Sequence, residues 1–278
     1  IRHTPGVVPA LAAAILAFTQ PGDGVLVQPP VYYPFFATIT GRGRRVVENP
    51  LVFTGSRFEM DFADLEKKLD DSSVKLVFLC SPHNPCGRVW TREELERFAR
   101  ICASRGVIVV SDEIHCDILF GGARHVPLAD VSEAIRDLSV TTVAPSKTFN
   151  VPGLGCAFAV VQNPRLRQRM ANAEAGIVPH VTALRLVACE TAVTECDAWL
   201  ADLQAYLAAN RDAMLEFVAR RMPHVGINVP EATYLAFLDF SRAHITGNPY
   251  TFFLEKARVA LNDGSTFGPG YANYARLN

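Results

Sequence analysis

The chain has 278 residues, 49% hydrophobic and 20% charged, with a formal net charge of −1. That length can bury the core of one large unit or two unequal ones, and the composition excludes a disordered chain. The balanced charge offers no basic surface for nucleic acid, and no apolar run approaches the ~20 residues of a membrane span.

The sequence opens at Ile1 without a methionine and shows no secretory leader. Pro9, ahead of an apolar run to Phe18, marks the first turn of a helix. Apolar, valine-rich runs then read as strands at 24–28, 44–49, 74–80, 106–112, 138–144 and 156–161. Most are continuously apolar, as strands covered on both faces should be. Amphipathic helices lie between them, and one runs from a capping box at Thr91 and Glu94 to about Arg105. This alternation predicts an α/β unit with a mostly parallel sheet.

After Gly176 the pattern changes to two long helices, 180–195 and 197–222, then strands at 225–229 and 233–240 and a helix at 249–260. The expected division is a large α/β domain over 1–196 and a smaller α+β domain over 197–278, joined by a long helix. The closing YARLN is strand-like, and the chain reads as a piece with segments missing at both ends. The seven cysteines form no C-x-x-C pair, and several lie in apolar runs. They read as reduced, buried thiols of a cytoplasmic protein.

In open α/β sheets, ligands bind beyond the carboxyl ends of the strands. Three successive strand ends here deliver Asn84, then Asp112 with His115, then Lys147. Each has a plainer reading: a turn at Asn84-Pro85-Cys86-Gly87, a helix cap at Asp112, an ordinary histidine, a solvated loop lysine. In this order and at these places they fit one demand together. A lysine that forms a Schiff base must lose its proton near neutral pH, and desolvation or a nearby cation lowers its pKa. Pyridoxal 5'-phosphate needs its ring nitrogen protonated, and a buried carboxylate such as Asp112 keeps it so. Asn84 and His115 are placed to hydrogen-bond its phenolic oxygen.

Six segments in order, TPGVVPAL, QPPVYYPF, SPHNPCGRVW, VVSDEIHCD, APSKTFNVPGLG and GSTFGPGYANYARLN, resemble the fold-type I enzymes of the aminotransferase class I/II superfamily. DEIH and PPVYYPF are similar to the cystathionine β-lyase (MalY/PatB-type C–S lyase) branch. The resemblance implies the aspartate aminotransferase-like fold, with a mostly parallel seven-stranded sheet, flanking helices and a smaller C-terminal domain. It implies Lys147 as the Schiff-base and proton-transferring lysine and Asp112 on the ring nitrogen. It places Asn84 and His115 on the phenolic oxygen, with Tyr32 stacked on the ring. Gly6, Val7, Val8 and Ser146 would meet the phosphate, and Arg276 the substrate carboxylate.

Three positions depart from the family pattern: Gly155 stands where an arginine often clamps the phosphate, Ala144 where serine is common, and Cys86 where threonine is usual. The expected activity is cleavage of cystathionine or a related cysteine S-conjugate to a thiol, pyruvate and ammonia, by a homodimer that binds neither nucleic acid nor membrane. Aminotransferase activity and a MalY-like regulatory protein with secondary lyase activity are the alternatives.

Overall fold

The computed structural model describes residues 1–278. The strands are β1 (Arg2–Thr4), β2 (Gly24–Val27), β3 (Arg45–Glu48), β4 (Val52–Phe53), β5 (Phe58–Glu59), β6 (Val74–Cys80), β7 (Ile108–Asp112), β8 (Ser139–Val143), β9 (Ala157–Val160), β10 (Gly226–Ile227), β11 (Ala236–Asp239), β12 (Asn262–Asp263) and β13 (Tyr274–Leu277). The helices are α1 (Val7–Phe18), α2 (Pro34–Thr40), α3 (Phe62–Leu69), α4 (Arg92–Ser104), α5 (Glu133–Arg136), α6 (Pro145–Thr148), α7 (Pro164–Glu174), α8 (Ala183–Glu195), α9 (Asp197–Arg221) and α10 (Pro249–Phe252). No helix is long and apolar enough to cross a membrane.

The main sheet has seven strands in the order β1-β9-β8-β7-β6-β2-β3. From β8 to β3 the pairings are parallel, while β9 runs antiparallel to β8, and β1 antiparallel to β9. Strand β6 shows why: only Lys75 of its seven residues is exposed. Leu76, Phe78 and Cys80 enter one core with α1 and α7, while Val77 and Leu79 enter the other with α3 and α4. A strand covered on both faces must be apolar at nearly every position, which is what its sequence shows.

The register sets the functional rim. Cys80 lies opposite Asp112, and Asp112 opposite Thr142, so β6, β7 and β8 end level with one another. The expected capping box closes α4: Thr91 Oγ1 accepts from Glu94 N, and Glu94 Oε2 accepts from Thr91 N.

A second sheet, β10-β11-β13-β12, follows α9. The expected helix over 249–260 is only partly α-helical: α10 passes into a π-helical turn at Phe253–Ala257, which ends at Arg258 in the left-handed region. The wide turn leaves Phe253 against Phe240, with ring centroids 5.2 Å apart. Apolar periodicity alone does not register such a widening.

Residues 228–233 strap this second sheet to the main one. Glu231 N and Ala232 N both donate to Gly87 O, at 2.8 and 2.9 Å. Asn228 Nδ2 donates to Cys86 O, and Thr233 N to Ile118 O. Beneath the strap lies Arg88, 1% exposed, with Nη1 2.8 Å from Glu231 Oε2 and Nη2 forked onto Glu94 at 2.6 and 2.8 Å.

At Gly87, φ is +66°, and an added Cβ would come within 2.8 Å of Ala232 O and 2.9 Å of Pro230 Cβ. Gly106 has nearly the same φ, +63°, but open space around it. Gly106→Ala should cost about 1–2 kcal/mol, the conformational penalty alone. Gly87→Ala should cost clearly more, because backbone must also move. Urea midpoints of the two variants, at unchanged slope, measure the difference.

Candidate active site

The loop after β6 is held by its own side chains. Cys80 Sγ accepts from Asn84 N at 3.4 Å and contacts Pro82 O at 3.5 Å. Trp90 Nε1 donates to Cys80 O at 2.9 Å, and His83 Nε2 lies 2.7 Å from Pro30 O. Beside it, Asp112 O accepts from Ser81 N, and Asp112 Oδ1 accepts from Ile114 N at 3.2 Å. Lys147 lies in the single turn of α6, which Thr148 anchors through a 2.6 Å hydrogen bond to Asp117 Oδ2.

These elements enclose a cavity of about 180 Å³. Gly6, Val7, Val8, Tyr32, Asn84, Asp112, His115 and Lys147 line it, together with Pro9, Cys80 and Ile114. Arg276, on β13, reaches the same rim: Nη1 donates to Asn84 Oδ1 at 3.2 Å and Nη2 to Asn262 Oδ1 at 2.7 Å. Its guanidinium lies 5.1 Å from the centroid of the Phe267 ring. Ser146 is placed differently. It lines a neighbouring cavity of about 650 Å³, bordered by α9 and Tyr234, which Lys147 also lines.

Burial dominates the electrostatics. It pushes the Asp112 carboxyl up to about 7, with Glu113 adding to the rise while the Ile114 N–H and Lys147 oppose it. The Lys147 ammonium is lowered by burial first and by Arg276 second, with Asp112 opposing. Burial, helped by Lys147 and Arg276, depresses His115 to about 3, so its ring is neutral at physiological pH. Its Nδ1 is buried without a protein partner. The Tyr32 hydroxyl is raised to about 12, again by burial and then by Asp112.

The start of α1 is open to an anion. Gly6 supplies no capping side chain, and no acid occupies the first turn. Pro9 has no N–H, and Ala10 N donates to Gly6 O, so the first-turn amides without an intrahelical acceptor are those of Val7 and Val8. At Gly155 an added Cβ would run into Pro5 O, so no arginine can stand there without moving the backbone.

An amine of lowered basicity, a dry carboxyl group and free helix amides thus face one cavity. They are the groups needed by a ligand with an electrophilic carbonyl, a basic ring nitrogen and a phosphate. Sequence reasoning missed Cys80 in the wall, Tyr234 edge-on to His115 at 6.0 Å, and the pairing of buried Glu113 with His125. Only the two adjacent acids closing an apolar strand hinted at the last.

Comparison with known proteins adds three findings. The family described as aminotransferase class I and II matches residues 2–274. Among curated proteins, cystathionine beta-lyase PatB of Bacillus subtilis is 40% identical over 280 residues, covering 100% of this chain and 72% of its own. Protein MalY of Escherichia coli is 32% identical over 281 residues, covering 100% of this chain and 71% of its own. Among solved structures, cystalysin of Treponema denticola, which contains a pyridoxal 5'-phosphate cofactor, superposes with a TM-score of 0.96 at 36% identity. That match covers 100% of this chain and 71% of cystalysin.

The raised Asp112 carboxyl makes a signed prediction. Between its ordinary value of 3.8 and about 7, the folded chain holds a proton that the unfolded chain has lost. The contribution of Asp112 to stability is therefore complete below pH 4 and is lost as pH rises through 7. In protein without added cofactor, Asp112→Asn should gain on the wild type from pH 4 to pH 7, by up to roughly 4 kcal/mol, and level off above that. Urea unfolding across this range tests it.

Proposed function

The chain belongs to the aminotransferase class I and II family, and on that ground we propose that it is a pyridoxal-phosphate-dependent carbon–sulfur β-lyase. Its substrate would be cystathionine or a related cysteine S-conjugate, cleaved to a thiol, pyruvate and ammonia. The observation that carries this reading is the meeting of Lys147, Asp112 and the first-turn amides of α1 on one cavity, in a chain similar throughout to named cystathionine β-lyases. We take residues 1–196 and 197–278 as its two domains and a cytoplasmic homodimer as the working unit.

Bound in the cavity, pyridoxal 5'-phosphate supplies an aldehyde that an amine can condense with and a ring that takes up the electron pair left on the substrate's Cα. The chain's residues do the rest. Lys147, its basicity lowered by burial and Arg276, would hold the cofactor and then take the Cα proton. Asp112 holds a proton on the ring nitrogen through a charge-assisted hydrogen bond in a dry environment. Neutral His115 can donate to the phenolic oxygen from the ring edge that faces the cavity, while Asn84 approaches the same oxygen with its amide.

Tyr32 would stack on the ring, and Val7 and Val8 would hold the phosphate through their N–H groups. Ser146 opens on the neighbouring cavity, so we assign it no part in the phosphate site. Arg276, braced by Asn84 and Asn262, forks onto the substrate's α-carboxylate and orients Cα toward Lys147. Loss of the Cα proton would let the Cβ–S bond break with the electron pair leaving on sulfur; the thiolate would take up a proton, and one water would hydrolyse the released 2-aminoacrylate to pyruvate and ammonia.

An aminotransferase shares the proton removal but not the bond breakage. Supplied with cystathionine and no 2-oxo acid, the cofactor-loaded protein should release pyruvate and thiol over many turnovers. One equivalent of the substrate's own 2-oxo acid, with the amino group left on the cofactor and no thiol or pyruvate, would favour the aminotransferase. Lys147→Ala should lose the borohydride-sensitive absorption band and slow pyruvate release on the order of 10³-fold or more. Arg276→Lys should raise KM about 10- to 100-fold, since an ammonium cannot reproduce the two-pronged contact. Initial-rate kinetics distinguish that from a change confined to kcat.

A further inference from the structure

Asp112 is followed directly by a second buried acid that the chemistry above does not use. Glu113 is 2% exposed, and Ser111 is fully buried. Residues two apart on a strand share a face, so Ser111 and Glu113 lie together on the side of β7 away from Asp112. Ser111 Oγ donates to Glu113 Oε1 at 2.8 Å, and Leu128 N donates to the same oxygen at 3.0 Å. His125 Nε2 lies 2.8 Å from Oε2. Glu113 N donates to Thr142 O at 2.9 Å. Three donors fix both oxygens of this carboxylate, the condition under which burial of one is tolerated.

From this geometry we propose that Glu113 is a positioning residue for Asp112: clamped by Ser111, Leu128 and His125, it locks the end of β7 and places a fixed negative charge that strengthens the hold of Asp112 on the proton it shares with the cofactor's ring nitrogen. The inference rests on the proposed role of Asp112. Its other charged or titratable neighbours are Lys147, Tyr32 and Cys80. Lys147 opposes the effect of Glu113, and the hydroxyl and thiol are held neutral by burial, which leaves Glu113 as the one acid acting in that direction. A fixed like charge on the neighbouring residue raises the proton affinity of a carboxyl group.

The test is the ¹⁵N chemical shift of the ring nitrogen in holoenzyme loaded with cofactor labelled at that atom, which reports where the shared proton sits. Glu113→Gln keeps an acceptor for Ser111 and Leu128 but removes the charge. Asp112 then holds the proton less strongly, and the shift should move toward the protonated-pyridine end. Ser111→Ala withdraws one donor from Glu113 and leaves its charge less compensated. The shift should move the opposite way, by a smaller amount, and this small change keeps the test open if Glu113→Gln fails to load.

A role confined to holding the fold would lower the melting temperature of both variants without displacing the shift in opposite senses. An unchanged shift in Glu113→Gln, or displacement of both variants in the same sense, overturns the proposal. Asp112→Asn is the control. If it too leaves the shift unmoved, the assignment of Asp112 to the ring nitrogen falls, and the role of Glu113 falls with it.

Discussion

The structure depends on placing an acid where water cannot reach it. Asp112 closes a strand whose other residues are all buried, between two parallel neighbours that end level with it. A carboxyl group there is costly unless something answers it, and the surroundings supply only one hydrogen bond, from Ile114 N. The remaining capacity faces the cavity. A cationic N–H on a bound ring would meet that need, so the cost of burying the acid becomes affinity for a protonated heterocycle. Lys147 is the mirror case, an amine that burial and Arg276 make less basic. The two groups oppose each other's shifts, which ties their protonation states together.

Much of this was legible because the sheet is buried on both faces. Continuous apolar runs such as VKLVFLC leave few readings open, and a parallel sheet then dictates which residues follow each strand end. Two of the shorter strands carried no such signal: β1 has three residues and β12 two, too few to display a period. Ser146 shows a finer limit. It adjoins Lys147 within one helical turn, where successive residues diverge by about 100°: both line the larger cavity, and Lys147 alone of the two also lines the smaller one.

The departure at Gly155 has a physical basis. Pro5 O lies where a side chain would begin, one residue ahead of the glycine that opens α1. The backbone that presents the Val7 and Val8 amides therefore occupies the space an arginine would need. An anion at this end of the cavity would meet oriented peptide dipoles, which carry fixed partial charge and do not titrate.

The strap at residues 228–233 bears on how ligand capture is organised. It is pinned to Gly87, in the loop after β6, and to Ile118, in the segment after β7, and it leads into β11, which pairs with the strand bearing Arg276. Arg276 in turn grips Asn84. The segments that carry Asn84, His115 and Arg276 thus belong to one stitched frame rather than three separate mounts. On the role proposed for Arg276, a ligand without a carboxylate would forgo a contact that is tied through Asn84 to the rest of that frame.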